Sequence, residues 1–522
     1  MKKLFLICML LAVVCLAAVS LCAEDITDAT DFLPADGMIT DGDERTVVTY
    51  PQGSTLTLKS DDVISAVYIK FDRLPSEWTL FAGGRSVRCG RYGFLHEYCD
   101  VAALLGETHE VTLTFDGADT EVCDIFVFSG DDIPDWVQRW EPAEGDADLV
   151  LLSTHADDEQ LFLLGVLPYY AGEMGYQVQV IYFTNHWAVR DRPHEQLNGL
   201  WTVGVTRYPV ISELPDGWNG VARDMKNAYR SAVANGFTRD RLVELQVEYL
   251  RRFRPQVVVG HDPNGEYGHP QHIINTETLM DALTLAADPT YSEETAADYG
   301  VWDVPKTYLH LYGENRITMD WDRPLARFGG KTAYEMSKLG FACHRSQHYT
   351  WFSDWLSGAR GNYTKATDIK KYSPTEYGLY RTTVGADTGV GGWDFFENLT
   401  VRSTETSEID GSETVPSVGP VRVPARDTAP ATEPDSTPTT EPVPDPMTDG
   451  QTTAAETLPT ADTESETAGT SDNGTKGGTA PATGDERKTA AVFVAAIMIV
   501  SLAAAAYAAA VRTGKSGKAN NR

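Results

Sequence analysis

The sequence predicts two folded domains of different class: an all-β sandwich, then an α/β domain built on a parallel sheet. Three observations predict this. Between Asp25 and Ala143 short alternating or apolar runs are separated by turn residues, and no long helical periodicity intervenes. After Pro142-Ala143-Glu144-Gly145 apolar strands begin to alternate with helical patterns. Beyond Leu399 large apolar residues almost vanish until Thr489, which confines the folded part to the first three quarters of the 522 residues.

In the first domain, 24–145, the strand-like runs are Thr46 to Tyr50, Ser54 to Leu58, Ile64 to Phe71, Glu110 to Phe115 and Val122 to Phe128. Several short strands at close spacing read as a sandwich. The closing pair, Val111 to Phe115 and Cys123 to Phe128, resembles the galactose-binding-like jelly rolls attached to bacterial glycan enzymes. No motif separates a sugar-binding module from a structural spacer.

In the second domain, 146–400, Val150 to Thr154 reads as a strand, Glu159 to Met174 as a helix and Val178 to Thr184 as the next strand. This βαβ unit implies a parallel sheet of Rossmann-like type. Glu195 to Val203 is helical, and the longer helix Arg239 to Phe253 feeds the strand Val257 to Gly260. Ligands of such sheets bind outside the carboxyl ends of the strands.

The remaining segments carry address and tether. Met1-Lys2-Lys3, an apolar run from Leu4 and small residues to Ala23 have the layout of a secretory signal, 1–23. Residues 401–488 form a Thr/Pro/Glu-rich stalk whose composition predicts disorder. Residues 489–511 are apolar enough for a transmembrane helix, and the basic tail 512–522 is expected to stay in the cytoplasm. Ala480-Pro481-Ala482-Thr483-Gly484, ahead of that span, resembles a Gram-positive sortase signal with alanine in place of the usual leucine. Two outcomes stand open, attachment to the cell wall through sortase or retention in the membrane; both present the folded domains at the cell surface.

A formal charge of -32 repels phosphate backbones and excludes a nucleic-acid partner. Of seven cysteines, Cys8, Cys15 and Cys22 fall in the signal. Cys89, Cys99, Cys123 and Cys343 are too few and too scattered for a disulfide framework, and one pair within the first domain is left unassigned.

The chemistry concentrates at two strand ends. Leu151-Leu152-Ser153-Thr154-His155-Ala156-Asp157-Asp158-Glu159 carries a histidine and two adjacent carboxylates to the point where a helix is expected to begin. Tyr267-Gly268-His269-Pro270-Gln271-His272 follows the second apolar run. Hydrolytic zinc takes nitrogen and oxygen ligands, typically three from the protein, and His155, Asp158 and His272 supply such a set. Asp157, beside them, is the natural general base for water. Carboxylates also cap helix starts for purely structural reasons, so either segment alone is weak; both at strand ends of one sheet point to a metal site. Among the aromatics, Trp187 beside His186 is the candidate to line the cleft.

His155-Ala156-Asp157-Asp158-Glu159, Arg192-Pro193-His194-Glu195 and Tyr267-Gly268-His269-Pro270-Gln271-His272 resemble the three signatures of the PIG-L (LmbE-like) deacetylases. The resemblance spans roughly Leu149 to Leu285, and more loosely Lys331 to Gln347. It implies a Rossmann-like fold, Zn2+ on His155, Asp158 and His272, Asp157 as base, His269 as acid to the departing amine, and Tyr267 as oxyanion donor. It also implies that Arg192 holds a substrate hydroxyl or phosphate; an ion pair with Glu195 or Asp191 is the alternative. The implied substrate is an N-acetylglucosamine-type glycan or glycoconjugate.

Two residues depart from the family pattern. Ala156 replaces a proline and removes no chemical group. Gln271 replaces an acidic residue that supports the acid histidine, which predicts a lowered His269 pKa. Asp262 and Glu266 are the alternative supports. The expected function is surface-tethered N-deacetylation by metal-activated water; the alternatives are an amidase acting on larger glucosamine amides and a non-catalytic glycan-binding surface protein.

Overall fold

The computed structural model describes residues 24–217, 224–389 and 393–402. The expected secretory signal, nearly all of the stalk, the apolar span 489–511, the basic tail and Ala480 to Gly484 lie outside the described residues. Among the described residues no helix is long and apolar enough to cross a membrane.

The first domain is a sandwich of two antiparallel sheets. One contains β1 (Glu24–Asp25), β3 (Val48–Tyr50), β5 (Ala66–Phe71), β8 (His96–Asp100) and β10 (Thr120–Ser129), in the order β1-β10-β5-β8 with β3 also paired to β10. The other runs β2-β4-β9-β6-β7, formed by β2 (Thr30–Leu33), β4 (Ser54–Ser60), β6 (Trp78–Ala82), β7 (Arg85–Cys89) and β9 (Glu110–Phe115). Inward residues such as Leu56, Leu58, Val67, Ile69, Leu113 and Ile125 are wholly buried between the sheets, and that burial drives the pairing. The edge strands β7 and β8 bring Cys89 and Cys99 together, with Sγ atoms 3.7 Å apart. Both are free thiols at that separation, so no disulfide joins them.

The second domain is centred on a seven-stranded sheet in the order β13-β12-β11-β14-β15-β17-β16. Its strands are β11 (Leu149–Ser153), β12 (Val178–Tyr182), β13 (Val210–Ile211), β14 (Val257–Gly260), β15 (Lys306–His310), β16 (Arg316–Thr318) and β17 (Glu376–Thr382). Pairing is parallel from β13 to β15 and antiparallel for β16 and β17. Burial on both faces explains the continuous apolar runs. Val150 and Leu152 pack with Val247, Leu250 and Leu283 of the Arg239–Phe253 and Pro270–Leu285 helices, whereas Leu149 and Leu151 face a core that continues into the sandwich. From β11 the chain moves to β12 on one side and later returns to β14 on the other, so the order reverses between β11 and β14. That reversal opens a crevice at their carboxyl ends.

The expected helix from Glu159 to Met174 is not a regular α-helix. Residues 156–165 form successive turns, and a π-helix follows at Pro168–Glu173. Gly165, at φ +86°, passes against the buried Trp321 indole and breaks the helical path. The helix expected from Glu195 begins earlier, at Asp191, and ends at Thr202.

Polar contacts fasten the two domains. His96 Nε2 lies 2.8 Å from His194 Nδ1, and Gln138 donates to Asn198 at 2.7 Å. Asp72 pairs with Arg190 at 2.8 Å. All three contacts hold the beginning and middle of the Asp191–Thr202 helix, the element that carries Arg192.

Candidate metal centre

The turn after β11 is shaped by its own side chains. The His155 amide donates to Asp158 Oδ2 at 2.8 Å, and the Asp157 amide donates to Glu159 Oε2 at 3.0 Å. Asp157 sits at φ +141°, a conformation that costs a non-glycine residue about 1–3 kcal/mol and recurs at functional sites. Arg192 holds the turn from across the crevice: its Nη2 donates to the Ala156 carbonyl at 2.5 Å and stands 3.6 Å from Asp157 Oδ1. The guanidinium thus contacts neither Glu195 nor Asp191 in these bonds, and it faces the Asp157 carboxylate.

The second loop is organised by Glu266. Its buried carboxylate accepts from His272 Nδ1 at 2.6 Å and lies 2.9 Å from His261 Nδ1 and 2.7 Å from His310 Nδ1. Burial opposes a charge on Glu266, but the three imidazoles outweigh it and hold its pKa well below the usual carboxylate range. Tyr267, at φ +48°, turns the chain, His269 precedes the first turn, and Pro270 starts the Pro270–Leu285 helix. His272 is thereby projected from that helix toward the end of β11.

At the centre three donor atoms converge. His155 Nδ1 is 3.1 Å from Asp158 Oδ2 and 3.1 Å from His272 Nε2, and His272 Nε2 is 3.2 Å from Asp158 Oδ2. Donors bound at about 2.0–2.2 Å to one tetrahedral zinc stand about 3.3–3.6 Å apart, so this triangle needs only a slight opening to hold one. Two imidazoles and one carboxylate are also a donor set suited to a catalytic divalent ion. Glu266 behind His272 fixes that ring through its other nitrogen, as partners of metal-binding histidines do.

The charges around this centre are set by burial and by one another. Burial disfavours charge on His272, but Asp158 and Glu266 outweigh it and raise its pKa to about 10. Asp157 is pushed up to about 7, by burial first, with Arg192 opposing. A carboxylate poised there can take a proton and release it again. His269, its ring 4.6 Å from both the His155 and His272 rings, is held well below the ordinary histidine value by burial, then by those two neighbours. The expected direction is present, but Gln271 is not its source. The Gln271 amide lies against His155 Nε2 at 3.2 Å and, in the orientation that satisfies its surroundings, donates to Asp216 and accepts from the Gly217 amide. Of the two alternative supports, Glu266 is committed to three other histidines, and Asp262 accepts from Asn264.

His155, Asp157, Asp158, Tyr267, His269, His272 and Arg192 are all brought to this crevice. The Tyr267 ring packs 5.5 Å from that of His269 and 5.4 Å from that of Trp351, and burial raises its pKa well above the ordinary phenol, so it keeps its proton. Trp187 is placed apart, in a neighbouring cleft against the sandwich. Sequence reasoning missed His261 and His310, and it missed Glu159 as the partner of both the Asp157 amide and His344, which lies 3.3 Å away. His261 directly follows β14, so the rule about strand ends would have found it.

The stretch 150–283 matches the family PIG-L, GlcNAc-PI de-N-acetylase. A 1D-myo-inositol 2-acetamido-2-deoxy-alpha-D-glucopyranoside deacetylase from Nocardioides sp. is 30% identical over 216 residues, covering 36% of this chain and 70% of that one. A second protein of that description, from Saccharopolyspora erythraea, is 50% identical over 70 residues, covering 13% of this chain; the chain spans only 24% of its length. Among solved structures, an N,N'-diacetylchitobiose deacetylase from Pyrococcus horikoshii aligns with TM-score 0.31 at 18% identity, over 45% of this chain and 84% of that one. With the family match on the very stretch that holds both site loops, and a relative aligned over most of its length, this chain belongs to the PIG-L family.

Proposed function

We propose that the protein is a metal-dependent N-deacetylase of an N-acetylglucosamine-type sugar, exported and tethered at the cell surface. The observation that carries the reading is the triangle of His155 Nδ1, Asp158 Oδ2 and His272 Nε2, with Asp157 as the next residue to one of its corners. A divalent ion held there, zinc by the donor set, would polarise the acetamide carbonyl and acidify water.

The chain's own groups supply the rest. Asp157, kept in place by Arg192 and by its strained backbone, takes the proton of the attacking water. Tyr267, still protonated, donates toward the oxygen that gains charge. His269 delivers a proton to the leaving amine. Its ring stands beside those of His155 and His272, and the proton that Asp157 takes from water balances the one that the amine gains. Loss of the amine leaves acetate and a free glucosamine-type sugar.

Surface tethering rests on the signal-like start to Ala23 and on the apolar span 489–511 with its basic tail. Protease treatment of intact cells should release the folded domains; resistance of the intact chain would count against this placement.

The activity is tested by metal analysis together with acetate release from a panel of N-acetylated glycans. The expected result is stoichiometric divalent metal, acetate release abolished by chelation, and an Asp157→Asn variant that keeps the metal but loses turnover. Acetate release that survives removal of the metal, or an Asp157→Asn variant of near-native activity, would overturn the mechanism.

A further inference from the structure

Beside the metal centre a cleft of about 270 Å³ lies where the sandwich meets the second domain. The loop between β7 and β8 contributes Tyr92 and Phe94; the second domain contributes Trp187, Tyr208, Glu213 and Arg252. We propose that this cleft is a further carbohydrate subsite, which binds a neighbouring sugar of the same glycan whose N-acetyl group enters the metal centre. The inference rests on the amino-sugar reading and extends it: the substrate class becomes an oligosaccharide or polysaccharide chain.

The chemistry of the walls selects the ligand. Aromatic faces cover the C–H face of a sugar ring, while carboxylate and guanidinium groups take its hydroxyls. Here Tyr92 stacks on Phe94 at 5.5 Å and is 45% exposed, a large aromatic left open at the rim. Glu213 and Glu144 outnumber Arg252 along the walls, which disfavours an anionic ligand.

The cleft is preformed. Tyr208 Oη accepts from the Leu95 amide at 3.0 Å, Arg252 donates to the Ala143 carbonyl at 2.8 Å, and Arg73 donates to the Trp187 carbonyl at 3.0 Å. It is also close to the reacting centre. Trp187 follows His186 directly, and the His186 ring lies 5.8 Å from that of His155. The loop that carries Trp187 therefore joins the cleft to the metal site.

The test uses the full chain loaded with metal, and compares an N-acetylglucosamine tetramer with the monomeric methyl glycoside. Tyr92→Ala and Glu213→Gln are both changes at exposed side chains. The wild type should prefer the tetramer, and each variant should lower the tetramer-to-monomer ratio of kcat/KM, Tyr92→Ala by about tenfold, mostly through KM. No length preference in the wild type, or an unchanged ratio in both variants, overturns the subsite. If neither sugar yields acetate, the deacetylase reading has failed separately. Calorimetric titration with the tetramer then decides the subsite: binding lost in Tyr92→Ala supports it, and absence of binding to the wild type overturns it.

Discussion

Arg192 and Asp157 meet 3.6 Å apart across the crevice, and the same Arg192 Nη2 holds the Ala156 carbonyl at 2.5 Å. One guanidinium thus fixes the peptide before Asp157 and also offsets the charge of that carboxylate. Lysine keeps the charge but cannot reproduce the planar fork. Arg192→Lys should therefore lower kcat by about 10- to 100-fold, against about 10²- to 10⁴-fold for Asp157→Asn, with metal content near wild type in both. Turnover measured alongside bound metal checks this. Loss of metal in Arg192→Lys would mean that the residue supports the ligand turn rather than the base.

Glu266 contacts no substrate in this account, yet it binds three imidazoles, including that of His272, a proposed metal ligand. Glu266→Gln keeps the shape and removes the charge. Metal affinity should fall by about 10- to 100-fold, as it does when the outer partner of a metal-binding histidine is lost. Competition with a chelator measures it, and activity should return at high metal concentration. Unchanged affinity would show that His272 needs no such support.

The chemical groups were legible in the sequence, and their supports were not. His155 and Asp158 follow the end of β11 and His272 lies in the first turn of the helix after β14, and β14 and the Arg239–Phe253 helix match their expected bounds because each is a strongly periodic segment with clear stops. The Glu159 to Met174 helix failed because the turn before it is fixed by contacts distant in sequence, Arg192 on Ala156 and Trp321 against Gly165. Strands β6, β7 and β8 were missed because mixed polar residues such as Arg85, Ser86 and Arg88 obscure their alternation. His310 could not be found from sequence, since only the parallel pairing of β14 with β15 and the long reach to Glu266 bring it to the site.

Asp124, inside the sandwich, makes stability depend on pH. Its pKa is pushed up to about 7, by burial first, with Lys70 and the Gly42 amide opposing and Glu44 and Asp41 assisting. A carboxyl raised in the folded state favours folding when protonated. Its contribution is therefore fully present below the unfolded value of 3.8 and is lost as pH rises through about 7. At 1.36 kcal/mol per unit, the loss is at most about 4 kcal/mol. Denaturant unfolding of wild type and Asp124→Asn should give curves that diverge from about pH 4 upward, with the variant relatively more stable at pH 8. Parallel curves across that range would mean that Asp124 is ionised in the fold at no cost.

Gly165 shows how tightly the segment after Asp157 is packed. A Cβ built there would stand 2.4 Å from the Trp321 indole, and its φ of +86° disfavours any other residue. The Gly165 amide also donates to Ser337 Oγ at 3.0 Å, so the backbone cannot back away without breaking a buried bond. Gly165→Ala combines backbone strain with overpacking and should cost about 3 kcal/mol or more. Gly84, at φ +80° with nothing within 4 Å, isolates the backbone part, so Gly84→Ala should cost about 1 kcal/mol. Urea unfolding of the two variants separates the contributions. Equal losses would show that Trp321 yields without resistance, and that the irregular path after Asp157 is held by the glycine's conformation alone.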